Sequence, residues 1–218
     1  QLYERMDINN ELDQQYFLTW NRSLNGHNFD ALAVYEVLSN DNNWFDASRI
    51  RYDFNIDYLF AGPDLDKDNN GSAGEDGRKG LITRVNYNYK GKYLFEFNSR
   101  YDASPRFPQN TRWGFFPSAS VAWRMSEEDF IKNNFSFIDN LKLRASYGKL
   151  GYDNTGQFQY LETFQITSSY IYDESTNELS KGIKSDAIPN PEITWEKMTT
   201  SNVGLDFNLW GSKLEGSF

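Results

Sequence analysis

The chain has no cysteine and a single histidine, His27. Disulfides, zinc–thiolate sites and a thiol nucleophile are therefore excluded. With no second histidine or cysteine beside it, the one imidazole points to no metal site, and no serine triad can be located around it. Long apolar runs are missing too. No stretch of 18 or more apolar residues exists, which excludes a transmembrane helix. A membrane barrel stays open, because its strands give only half of their residues to lipid. Positive charge is scarce: 22 Lys and Arg stand against 31 Asp and Glu, a net charge of -9. No basic patch is available to neutralise phosphate, so nucleic acid is not an expected partner. Residues 1–5 carry no signal-peptide pattern. With no initiator Met, and a new strand only begun when the chain reaches Phe218, the sequence is expected to be an internal stretch of a longer protein.

What is abundant is aromatic: 17% of residues are Phe, Trp or Tyr. They are placed with a period of two. In residues 92–101, Tyr93, Phe95, Phe97 and Tyr101 fall on one face of a strand, and Leu94, Glu96, Asn98 and Arg100 fall on the other. Such alternation means one face meets an apolar phase and the other meets water. A strand of about ten residues is long for a globular protein and suits a tilted bilayer crossing. The pattern predicts strands at 14–24, 28–38, 81–90, 92–102, 115–125, 140–149, 200–210 and 213–218. Tight turns are expected at Asn25-Gly26-His27, Lys90-Gly91-Lys92 and Trp210-Gly211-Ser212. The joints 39–80, 103–114 and 150–199, rich in Asp, Asn, Gly, Ser and Pro, read as long loops.

Counting strands up and down puts every tight turn on one side. Only 126–139 is an extended joint there; Ser126 with Asp129 predicts a capped short helix over 127–133. A hairpin near 158–171 inside the third long joint would preserve the count. Short turns on one side and long loops on the other are the habit of outer-membrane barrels. The faces agree: Val121 and Trp123 oppose Ser120 and Arg124, Leu143 and Ala145 oppose Lys142 and Arg144, and Val203 and Leu205 oppose Gly204 and Asp206. Turning a charged set to lipid would cost ~2–4 kcal/mol for each mid-depth Arg or Lys. A soluble β-sandwich also alternates, but the ten-residue strands, sided loops and aromatic load favour the barrel. The expected fold is all-β, an antiparallel transmembrane β-barrel segment of about eight strands.

Two stretches add a resemblance. One is Arg100-Tyr101-Asp102-Ala103-Ser104-Pro105-Arg106-Phe107 with Arg112-Trp113-Gly114-Phe115-Phe116-Pro117-Ser118-Ala119-Ser120-Val121-Ala122-Trp123-Arg124. The other is Leu141-Lys142-Leu143-Arg144-Ala145-Ser146-Tyr147-Gly148-Lys149-Leu150-Gly151. Together with Asn190-Pro191-Glu192-Ile193-Thr194-Trp195-Glu196-Lys197, they resemble the barrel of the SusC/RagA-type TonB-dependent outer-membrane transporters. Ala103, Pro105 and Tyr152 depart from the family's commoner Gly, Ser and Asn. From residue 81 onward the resemblance is specific; residues 1–80 share only the rhythm. It implies a bacterial outer-membrane location and a barrel of about 22 strands around a plug. It also implies import of oligosaccharides or peptides, a SusD-like surface lipoprotein as lid, and energy from TonB through a plug region outside this chain. No enzymatic activity and no cofactor are expected.

Candidate sites follow. Asp66-Lys67-Asp68-Asn69-Asn70-Gly71 fits the start of a calcium loop, with Asp66, Asp68, Asn70 and Asp76 as oxygen ligands, although Gly77 stands where the loop's closing Glu belongs. A solvated acidic loop tip is the plainer reading. Arg84, Glu96, Arg100, Arg124, Lys142, Arg144 and Asp206 are expected to face the lumen, paired with one another or against the plug. Trp44, Tyr58, Trp113 and Tyr152 are candidate loop contacts for substrate, with packing inside the loops as the alternative. No carboxylate pair at glycosidase spacing can be named, so a soluble carbohydrate enzyme ranks below the importer. The other alternative is a small stand-alone barrel or adhesion protein. Expressed alone in water, open strand edges predict aggregation.

Overall fold

The computed structural model describes residues 1–53, 55–173 and 178–218. Their strands are β1 (Leu2–Leu24), β2 (His27–Arg49), β3 (Lys67–Tyr89), β4 (Tyr93–Ala103), β5 (Trp113–Arg124), β6 (Ile138–Tyr152), β7 (Phe164–Asp173), β8 (Glu178–Ser185), β9 (Glu196–Leu209) and β10 (Leu214–Ser217). Eight of them form one sheet in the order β1-β2-β3-β4-β5-β6-β9-β10, and β7 and β8 pair with each other. Neighbours in the sheet are neighbours in sequence except across the β7–β8 excursion, which returns β9 antiparallel to β6. The expected hairpin in the third long joint therefore exists, but at β7–β8, later in the chain than 158–171; its turn lies outside the described residues.

The tight turns sit where Gly and Asn allow positive φ. Asn25 and Gly26 have φ of 50° and 85°, and Lys90 and Gly91 have 51° and 69°, as a primed two-residue hairpin requires. Between β5 and β6 the chain makes a 3₁₀ turn (Met125–Glu127) and one turn of helix, α1 (Asp129–Lys132). This is shorter than the helix expected over 127–133. Glu128, not Ser126, is the N-cap residue, and no side chain caps it. Ser126 is instead buried within the 3₁₀ turn.

The largest departure concerns the joint 39–80. β2 and β3 each run for 23 residues, leaving only residues 50–66 as a loop. The chain divides into two units, Gln1–Gln15 with Glu36–Lys79 and Tyr16–Tyr35 with Gly80–Phe218. In the first, Tyr3 Oη donates to Asp46 Oδ2 at 3.3 Å, Gln15 Nε2 donates to Glu36 Oε1 at 2.8 Å, and the Arg5 guanidinium lies 4.2 Å from the centre of the Trp44 ring. The outer residues of β2 and β3 are polar on both faces and carry no period-two signal, whereas in β1 Leu2, Met6, Ile8 and Leu12 alternate with Arg5, Asp7, Asn9 and Glu11.

Register in the second unit lines side chains into rows across four strands. Phe95, Val121, Ala145 and Val203 make one row; Glu96, Ser120, Ser146 and Asn202 make the adjacent row on the opposite face. A one-residue slip would exchange the two faces completely. Val121 and Val203 remain exposed, so no layer of the described residues covers the apolar face there.

Candidate functional site

The polar face collects the charged residues singled out above and pairs them. Arg84 Nε donates to Asn98 Oδ1 at 3.0 Å, and Asn98 Nδ2 donates to Glu96 Oε1 at 2.6 Å. Arg100 Nε lies 2.9 Å from Asp102 Oδ2. Asp206 receives Arg144 Nε at 3.2 Å and Ser217 Oγ at 2.8 Å, with Lys142 Nζ at 3.7 Å. Arg124 turns to the joint after β5 and meets Glu127 at 3.1 Å. Arg100, Arg124, Lys142 and Arg144 are thus paired with carboxylates, while Arg84 and Glu96 are bridged through Asn98; exposed pairs of this kind contribute little to stability.

At the long-loop end the polar face is capped by an apolar cluster. Phe107, Phe116 and Trp195 are 1%, 7% and 6% exposed, with Ile193 packed against them. The ring of Trp195 lies 5.3 Å from Phe107 and 5.1 Å from Phe116 between centroids. Trp195 Nε1 donates to the Arg112 carbonyl at 2.9 Å, Thr111 Oγ1 to the Ile193 carbonyl at 2.7 Å, and Thr194 Oγ1 to the Thr111 carbonyl at 3.2 Å. Arg106 reaches the Thr155 carbonyl at 3.0 Å. Three segments distant in sequence are thus clasped together. Gly114 and Gly151 make room: a Cβ on either would fall 2.3 or 2.0 Å from the Phe116 ring. The sequence signal for this cluster was Phe116 itself, a large aromatic interrupting an otherwise polar row.

The tight-turn end is held differently. Aromatic rings run along the apolar face from Trp20 to Phe29, Tyr87, His27, Tyr89 and Tyr93, with neighbouring centroids 4.4–6.4 Å apart. His27 Nδ1 is 2.9 Å from Tyr87 Oη. Glu128 ends the series, accepting Tyr93 Oη at 2.7 Å, Trp123 Nε1 at 3.1 Å and Lys92 Nζ at 3.2 Å. Donation from Tyr93 and Trp123, then the Lys92 charge, holds the Glu128 carboxyl below the usual carboxylate range.

The remaining candidates scatter. Trp44 is under Arg5, and Tyr58 is exposed on the 50–66 loop. Tyr152 ends β6 with its hydroxyl accepting Asn154 Nδ2 at 2.9 Å. Trp113 is no loop residue: it opens β5 opposite Ala103 and stacks on Tyr101 at 4.6 Å, within the apolar face. The calcium loop is also corrected. Asp68, Asn70 and Asp76 lie along β3, where eight residues of strand separate Asp68 from Asp76 by about 26 Å. Asp68 Oδ1 and Asp76 Oδ1 instead accept the next residue's amide, at 2.9 and 2.8 Å. The side chain of Asp66 lies outside the described residues. Among the described residues no three His, Asp or Glu side chains gather closely enough to hold a metal.

A sheet of up-and-down strands with a bare apolar face, a paired polar face, tight turns at one end and long loops at the other is the wall of a membrane β-barrel. A family model described as TonB dependent receptor-like, beta-barrel, matches residues 2–218. TonB-dependent receptor P3 of Formosa agariphila is 30% identical over 218 residues, 99% of this chain and 21% of that protein. TonB-dependent receptor SusC of Bacteroides thetaiotaomicron is 36% identical over 134 residues, 61% of this chain and 13% of SusC. The structure of the RagAB peptide importer in its closed-closed state superposes with a TM-score of 0.80 at 20% identity, over 99% of this chain and 24% of that one. The chain belongs to the TonB-dependent receptor family, as part of its outer-membrane β-barrel; the family is one of receptors and transporters, not enzymes. It spans about a fifth of the length of the Formosa relatives it matches.

Proposed function

We propose that this chain is a wall segment of an energised outer-membrane importer of oligosaccharides or other large nutrients, peptides included. The importer works with a SusD-like surface lipoprotein as lid and draws its energy from TonB through an internal plug. The observation that carries this reading is the two-faced sheet: an exposed apolar face fit for lipid and a polar face whose charged side chains are hydrogen-bonded or ion-paired with one another or through Asn98. In this reading Arg84, Glu96, Arg100, Lys142, Arg144 and Asp206 line the lumen against the plug, and Arg124 lies at the periplasmic rim. Tyr58 and Tyr152 rise on the extracellular side, Tyr152 within reach of cargo. The Phe107–Phe116–Trp195 clasp supports the reading by giving the long loops a rigid base, which a cargo-handling surface requires.

The test is uptake. Cells lacking the full-length gene, and cells complemented with it, are fed fluorescently labelled oligosaccharides and peptides too large for porins. Uptake restored by the gene and abolished by a protonophore is the expected result. Restored uptake that survives the protonophore would remove the TonB-driven step, and no restored uptake of either cargo class would remove the importer.

A further inference from the structure

Two adjacent tight turns carry cations that the wall leaves without a counter-charge. The Lys90 amide donates to the Gly26 carbonyl at 2.7 Å, which holds the β3–β4 turn against the β1–β2 turn. The Lys90 stem then lies over Gly26, where a Cβ would fall 2.8 Å from its Cγ. Its ammonium comes to 5.3 Å from the centre of the Tyr89 ring, within cation–π range. The His27 ring lies 4.4 Å from that same ring, and its Nδ1 is hydrogen-bonded to Tyr87 Oη. Arg22 stands on this face too. The Tyr16–Tyr35 ring contact fixes the β1–β2 register, and the two-residue turn continues it. Arg22 therefore falls opposite Phe29, whose ring packs on Tyr87 at 4.9 Å. Arg22 and Lys90 are both exposed. They flank His27, two strand spacings or about 10 Å apart across the sheet.

The other cations at this end are neutralised. Lys92 lies 3.2 Å from Glu128, and Arg124 and Lys132 lie 3.1 and 2.6 Å from Glu127. Among the described residues, Arg22 and Lys90 form no ion pair. Carboxylates are not in short supply, with 31 Asp and Glu against 22 Lys and Arg. The bare cations therefore reflect where they stand: at the edge of the apolar face, beside Trp20 and Phe29, which pack at 6.4 Å.

That place selects the occupant. A ligand there must be apolar on the side of Trp20 and Phe29 and anionic on the side of the turns. A phospholipid has this build, with its phosphate at the depth where the apolar face gives way to the turns. A zwitterionic headgroup would bring an ammonium that no carboxylate of the cluster receives, whereas an anionic headgroup brings negative charge alone.

We propose that Arg22, His27 and Lys90 form a binding site for the phosphate of an anionic phospholipid, in the membrane leaflet that meets the tight turns. The guanidinium and the ammonium hold the phosphate from two sides by charge-assisted hydrogen bonds, the His27 ring sits between them, and the acyl chains run along Trp20 and Phe29. The site belongs to the barrel wall and is independent of what the barrel carries.

The experiment uses the full-length protein purified in detergent. It is mixed with phosphatidylglycerol or phosphatidylethanolamine of matched acyl chains, and bound lipid is counted by native mass spectrometry. Wild type should retain phosphatidylglycerol in preference. Arg22→Gln/Lys90→Gln should weaken that binding roughly 30-fold, about fivefold for each cation lost. Lys90→Arg, which keeps the charge, should bind as wild type does. Lys149→Gln/Lys197→Gln removes two charges from the long-loop end of the same face and should leave binding unchanged. Equal retention of the two lipids by wild type overturns the proposal. An equal loss in the Lys149/Lys197 pair overturns it in favour of diffuse charge. Displacement of the lipid by inorganic phosphate overturns it in favour of a site for the free anion. Heat-modifiable gel mobility confirms that each variant is folded.

Discussion

The two ends of β4, β5 and β6 solve opposite problems with opposite chemistry. At the long-loop end, Phe107, Phe116 and Trp195 bury an apolar cluster over the polar face. At the tight-turn end, Glu128 gathers Tyr93, Trp123 and Lys92 beside the apolar face. Each end carries what its face lacks. Loops that extend into water need their own small core to be rigid, since water gives them no reason to stay in one arrangement. Turns at a membrane boundary already have aromatic rings in place and need polar partners for the ring hydroxyl and indole N–H. Rigidity therefore comes from packing at one end and from directed hydrogen bonds at the other.

This contrast can be broken at either end. Trp195→Ala removes the centre of the loop cluster and the donor to Arg112, and should cost about 3–5 kcal/mol of local stability. Limited proteolysis of the full-length protein should then cut within 104–112, while the barrel keeps its heat-resistant gel mobility. Between the ends, Val121→Lys places a charge mid-depth on the apolar face and should cost ~2–4 kcal/mol. Ser120→Lys, one residue away on the polar face, should be tolerated, as paired unfolding curves in detergent would show. Gly151→Ala drives a methyl into the Phe116 ring and should cost about 1–3 kcal/mol, the usual range for overpacking; amide exchange around Phe107 and Trp195 reports it. Glu128→Gln keeps the shape but drops the charge, and should give the smallest change, a lowered unfolding temperature.

The Glu128 end should also respond to pH. Its carboxyl is held below the usual range when folded, so the stabilisation is present above the ordinary glutamate pKa and is lost as pH falls through the depressed value. Unfolding curves taken from neutral pH into the acid range should show this loss in wild type and not in Glu128→Gln. An unchanged difference between the two across that range would mean the carboxylate contributes through shape alone.

Much of this could be read in the residues. Strands β4, β5, β6 and β9 announce themselves because one face meets an apolar phase, and burial in lipid enforces the same alternation as burial in a core. The turns at Gly26, Gly91 and Gly211 were legible because positive φ selects few residue types. The outer part of β1 did carry the alternation, in Leu2, Met6, Ile8 and Leu12, and was legible. The outer parts of β2 and β3 were not legible: with polar residues on both faces there is no period, and the Asp, Asn and Gly there look like loop. That error carried the supposed calcium ligands with it, and the same reliance on composition placed Trp113 in a loop rather than at the head of β5.

By itself, then, the sequence determined a two-faced wall, the side of each tight turn, and the family, since these rest on local periodicity and turn chemistry. Only the tertiary structure decided that Phe107, Phe116 and Trp195 form one cluster, that Glu128 serves three partners, and that Arg22, His27 and Lys90 stand together. Those features join residues far apart in the chain through strand register and loop closure, and no local pattern encodes which distant side chain will meet which.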